Sequence, residues 1–175
     1  MDWPTLNKSL EAHFNHMQFN HLPKLLGSDM VKIVNLDNNV IETVKSDPFK
    51  QCKNLESLSI SNNSIHDLPK DFLKSTTLLR FLSLSHNLLS DIERGVLSHL
   101  TSLRTMDLSY NKLKTLPSGI VDVLDNVEIL NLEGNEIIFV QITERKSASS
   151  VKILNLASNK LTLVGATTFQ LFQNL

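Results

Sequence analysis

Three histidines, His13, His16 and His21, stand close together near the start of the chain, and imidazoles are the side chains that most often hold zinc. The sequence gives them no cysteine or acidic partner at the spacing of a ligand set, so they read as a polar edge. No metal or other cofactor is expected. Nucleophilic catalysis finds as little support. Gly27, Gly95, Gly119, Gly134 and Gly165 are the only glycines, and they build neither a phosphate loop nor a nucleophile elbow around the many Ser, His and Asp residues. The single cysteine, Cys52, excludes an intrachain disulfide and reads as a buried thiol filling the core. No residue is assigned a catalytic role, and the chain reads as non-enzymatic.

The chemistry that remains is recognition, and the elements that would position it are set by a repeat. Asn39, Asn63, Asn87, Asn111, Asn135 and Asn159 fall 24 residues apart without a slip. Around each, the apolar frame of Leu79, Leu82, Leu84 and Leu89 recurs, giving LxxLxLxxNxL six times. A fixed period of this kind marks a solenoid of stacked turns. In LxLxx the alternating apolar positions point inward, as a short strand requires. Parallel strands cannot be joined by a tight hairpin, so the rest of each repeat must return over the far side. Val44, Leu68, Ile92, Leu116, Val140 and Val164, followed by Phe49, Leu73, Leu97, Val121 and Phe169, are suited to fill the space behind the sheet. The expected fold is an α/β solenoid: a horseshoe with a parallel concave sheet, one short strand per 24-residue turn, and an irregular or short-helical convex side.

Each asparagine stands where the chain leaves the strand and turns, stranding backbone groups inside the coil. Its amide has donors and an acceptor for them, so the six asparagines are expected to be structural. Residues 1–30, in which Phe14, Met17, Phe19, Leu22 and Pro23 echo the frame at a spacing of 22, read as a degenerate first repeat or cap. Residues 31–175 read as six repeats open at the C-terminal end, because Leu175 occupies the first position of a seventh. The beginning lacks the apolar core of a signal peptide, so the chain is expected to be either cytosolic or incomplete. In repeat five Glu144, Arg145 and Ala148 replace apolar anchors, and the run QITERKSASS is expected to be the loosest segment, open to trypsin at Arg145 and Lys146.

Seventeen Lys and Arg against eighteen Asp and Glu leave a formal charge of −1, so the sequence makes no broad electrostatic case for nucleic acid or lipid. No apolar run approaches a membrane span. A partner must be recognised locally, by the side chains between the frame leucines. Among these, Phe81, Ser83, Ser85, His86, Thr105, Asp107 and Tyr110 are the candidate ligand-binding residues, with aromatic area and hydrogen-bonding tips in the middle repeats.

The frame resembles the leucine-rich repeat family across residues 14–175. With its period of 24, the pairs Leu68-Pro69 and Leu116-Pro117 and the aromatics Phe49, Phe72 and Phe169, it looks like the "typical" class. That resemblance implies an animal extracellular setting, similar to Toll-type receptor ectodomains and insect leucine-rich immune proteins. It implies a secreted or ectodomain module of innate immunity or cell-surface recognition, with a protein ligand or co-receptor and homo- or hetero-oligomers as partners. Alternatives are a matrix or adhesion protein and an intracellular scaffold regulating a phosphatase or GTPase. In an extracellular setting the sequons at Asn7 and Asn62 become glycosylation sites.

Overall fold

The computed structural model describes residues 11–22, 29–140, 149–162, 169–170 and 172–175. Seven strands form one parallel sheet in strict chain order: β1 (Glu11–His13), β2 (Ile33–Asn35), β3 (Ser57–Ser59), β4 (Phe81–Ser83), β5 (Thr105–Asp107), β6 (Ile129–Asn131) and β7 (Ile153–Asn155). Each strand is three residues long with its middle side chain turned inward. Val34, Leu58, Leu82, Met106 and Leu130 lie opposite one another in register and are fully buried. β1 joins the same sheet two residues out of step, with Ala12 opposite Val34, which is the spacing of 22 seen in the sequence. The sheet is therefore a stack of identical turns, as the period requires.

Behind the sheet the frame residues fuse into a single core column running from Ala12 and Phe14 to Val151. Phe49 and Phe72, both buried, meet edge to face at 6.3 Å between repeats one and two, and Cys52 is buried beside them in the same cluster. The return path is irregular. Among the described residues its one helical turn is the 3-10 segment Ser118–Asp122, which buries Ile120. Gly119 permits that turn to press on the previous repeat, because a Cβ there would lie 2.4 Å from the Glu93 carbonyl oxygen. Phe169, expected as an anchor, is 36% exposed. Phe172 is buried, at the position that Cys52, Thr76, Leu100 and Leu124 fill in earlier repeats, where the row of Phe49, Leu73 and Leu97 is buried as well. Val164, the polar run through Arg145 and Lys146, and Asn7 lie outside the described residues.

The asparagines form a ladder of their own. Asn87 Oδ1 accepts the Ile65 N–H at 3.0 Å, while its Nδ2 donates to Ile60 and Leu84 carbonyls at 2.9 and 3.1 Å. Asn111 and Asn135 repeat the arrangement one and two turns on. Asn63 and Asn159 make the same set at the two ends. Asn39 reaches into the shortened first turn, accepting from Met17 and Phe19 N–H and donating to the Phe14 carbonyl. Each amide thus ties a turn to the one before it.

Candidate functional site

The side chains between the frame positions cover the concave face in rows, and each row is built by stacking one repeat position. At the leading margin, just before the strands, lie Lys32, Glu56, Arg80, Arg104, Glu128 and Lys152. The first strand position gives Ile33, Ser57, Phe81, Thr105, Ile129 and Ile153. Phe81, Ile129 and Ile153 are exposed there, at 37%, 38% and 56%, with Thr105 between them. The sequence displays Ile129 and Ile153 in this row but gives no sign that they stay uncovered; their exposure extends the apolar surface through repeats five and six.

The middle of the face is occupied with its own bonding. Asp37 Oδ1 accepts from Ser59 Oγ and Ser61 N, both at 2.6 Å, and the hydroxyl chain continues from Ser61 to Ser83 at 2.7 Å and on to Ser85 at 3.3 Å. Ser83 and Ser85, expected at a ligand surface, are buried, because small hydroxyls on a close parallel ladder bond to one another and sink between larger neighbours. Asp107 accepts the Ser109 N–H at 2.9 Å, a turn made also by Asn35, Asn131 and Asn155, so one of its oxygens closes the backbone.

At the trailing margin the residue before each frame asparagine is left-handed: Asn38, Asn62, His86, Tyr110, Gly134 and Ser158 have φ between 52° and 66°. Gly, Asn and His are the residues found most readily in that conformation; a tyrosine is not, and such a residue costs on the order of 1–3 kcal/mol of backbone strain. The two rings stack, with centroids 4.4 Å apart and planes 10° from parallel. Tyr110 Oη donates to Glu133 Oε1 at 3.0 Å, and Glu133 Oε2 accepts from Asn155 Nδ2 at 3.0 Å. The hydrogen bond to Glu133, then the charge of that carboxylate, raises the Tyr110 pKa above its ordinary value. Gly134 makes room, since a Cβ there would fall 2.6 Å from the tyrosine ring.

The structure therefore pairs His86 with Tyr110 but sets Phe81 apart from them. Phe81 and His86 are five residues apart along one repeat, up to about 16 Å at an extended rise. Phe81 lies in the first strand row beside the leading margin and His86 at the trailing margin, with Asp107 in the middle rows. The histidines near the start are also dispersed: His13 bonds to Glu11 at 3.1 Å, the acidic partner that sequence spacing did not reveal, and His21 to Asn20 at 2.6 Å. Among the described residues no three His, Cys, Asp or Glu side chains gather as a metal site, and no helix is long and apolar enough to cross a membrane.

The sequence pattern of the leucine rich repeat family matches residues 30–89 and 77–137, together more than half of the chain. The chain belongs to the leucine-rich repeat family. No curated protein sequence matches it. Among solved structures, this leucine-rich repeat chain is similar to Toll in the Drosophila Toll–Spatzle complex, at 28% identity and a TM-score of 0.71 over 84% of the chain. The leucine-rich repeat domain of APL1B gives 28% identity and a TM-score of 0.68 over 86%. The TLR13–ssRNA13 complex, at 24% identity and 0.73 over 86%, shares the fold. The chain spans 21% of the Toll chain, 43% of the APL1B chain and 22% of the TLR13 chain. The leucine-rich repeat is a protein-interaction fold, and here the exposed groups that could serve it are Phe81, Ile129, Ile153, His86 and Tyr110.

Proposed function

We propose that this chain is a non-enzymatic recognition segment of a secreted or cell-surface protein and that its concave face grips a protein ligand or co-receptor. The observation that carries the reading is the uncovered row of Phe81, Thr105, Ile129 and Ile153, faced across the sheet by the His86–Tyr110 stack. These side chains belong to no frame position, and Tyr110 holds a backbone conformation that disfavours it. Aromatic side chains at the centre of an interface commonly carry about 2 kcal/mol or more each, roughly thirty-fold in affinity. The complex of Toll with Spatzle, described as a hub in Drosophila development and innate immunity, supports a protein ligand and a role in innate immunity for this chain too.

The test compares wild-type and Phe81→Ala/Tyr110→Ala chains, immobilised and exposed to extracellular fluid of the source organism, by quantitative mass spectrometry of what each retains. The partner is lost from the double variant by roughly thirty-fold or more. Equal retention by a correctly folded double variant sinks the concave-face reading. The extracellular part has its own check. Asn62 is exposed within the sequon Asn62-Asn63-Ser64, its Nδ2 donating to Asn38 Oδ1 at 2.6 Å in an exposed hydrogen bond, and is expected to carry an N-glycan on secreted material. Intact-mass analysis showing Asn62 bare counts against secretion and leaves the binding surface untouched.

A further inference from the structure

Charge on the concave face is ordered across the strands, basic at the leading margin and acidic in the middle rows. Four cations, Lys32, Arg80, Arg104 and Lys152, and two anions, Glu56 and Glu128, line the leading margin. The anions are claimed by the outer lysines: Lys32 Nζ reaches Glu56 at 2.7 Å and Lys152 Nζ reaches Glu128 at 2.7 Å, and these hydrogen bonds, with the lysine charges, hold both carboxyls below their usual pKa. Arg104 lies 4.0 Å from Glu128 and donates to the Leu103 and Asn126 carbonyls. Arg80 and Arg104 stand on neighbouring turns at the flank of Phe81 and Thr105; they share Glu56 and Glu128 with the lysines, so four cations against two anions leave this margin net positive.

Across the sheet, Asp37, Asp107 and Glu133 are all carboxylates, and among the described residues none of the three is in an ion pair. Their oxygens accept from Ser59, Ser61, Ser109, Tyr110 and Asn155, neutral donors that leave the negative charge in place. The basic residues past these three carboxylates turn elsewhere: Lys160 bonds Glu136 at 2.8 Å, and Lys112 and Lys114 act on the same carboxylate. Between the leading margin and those three carboxylates runs the apolar row of Phe81, Ile129 and Ile153.

From this arrangement, and resting on the protein-binding reading of the concave face, we infer that the ligand is a polypeptide segment with a transverse charge order. It sets an acidic flank against Arg80 and Arg104, an apolar ridge on Phe81 and Ile129, and a basic flank toward Glu133 and Asp107. Complementary potentials fix orientation and suppress reversed binding, since a segment turned around would set like charges against each other on both sides of the apolar row. The face reads direction as well as composition.

A random peptide display library panned on the full chain tests this. Enriched peptides are expected to carry Asp or Glu, aliphatic or aromatic, and Lys or Arg residues in a recurring order. Their synthetic forms bind Arg80→Glu/Arg104→Glu about tenfold or more weaker, and the neutral pair Arg80→Gln/Arg104→Gln also weaker, with melting curves showing both variants folded. Peptides lost on Phe81→Ala/Ile129→Ala but without charge order, and bound equally by the arginine variants, overturn the polarity and leave the protein-binding face standing. If no peptide depends on Phe81 and Ile129, both readings fall. A single-stranded RNA oligonucleotide bound through Arg80 and Arg104 in that case gives the face to nucleic acid instead.

Discussion

Tyr110 is the one tyrosine in the chain, so its titration can be read in isolation by ultraviolet absorbance. Its hydrogen bond to Glu133 favours the neutral phenol, and ionising it would set two negative charges together. The midpoint is expected above the ordinary value of about 10, and Glu133→Gln, which keeps an acceptor and removes the charge, lowers it. A phenol raised in this way favours the folded state at every pH below its unfolded pKa. That contribution fades as pH climbs through the folded pKa. Gly134→Asn should lower the midpoint as well, because its Cβ must push the Tyr110 ring aside, 2.6 Å being too close. Stability should fall with it, because the ring must move; the backbone part of the cost is small, as Asn38 and Asn62 on adjacent repeats hold the same left-handed conformation. A midpoint unaltered by either substitution means that ring and carboxylate are not coupled in solution.

At the scale of the repeat, the asparagine ladder carries more than its residues suggest. Asn87→Ala removes the acceptor for Ile65 N and the donor to Ile60 and Leu84 carbonyls, all inside the column. Each buried group left without a partner costs about 1–3 kcal/mol, so a loss of about 2 kcal/mol or more is expected in chemical denaturation. A cost near that of an exposed substitution means water enters and replaces the amide. The repeats were legible in the sequence because frame leucines and turn asparagines answer to local geometry, which recurs every 24 residues. What was not legible depends on contacts between repeats at fixed phase. Ser83 and Ser85 have residue types that suit a surface, yet sink into a hydroxyl chain begun by Asp37. Phe169 and Phe172 are the same residue type three apart, and only the packing of the column selects the second. The left-handed backbone of His86 and Tyr110 was equally hidden, although Asn38, Asn62 and Gly134 at the matching positions are the signal that could have exposed it.

For the whole molecule, strict chain order means that, among the described residues, each strand pairs only with the strands just before and after it. Stability in such arrays is close to a sum of repeat and neighbour terms. Under a pulling force applied through the two ends, such an order of strands asks for no set of pairings that must break all at once. It should yield as a sawtooth, one coil peeling from the stack at a time. Since successive strands β2 to β7 stand 24 residues apart, each tooth should lengthen the tether by about 80 Å of contour. Optical-tweezer traces showing instead a single rip of the full length would mean that the stack behaves as one brittle body. A coil that peels and re-zips singly makes the molecule a compliant spring, able to give way locally under load while the remaining coils keep their shape.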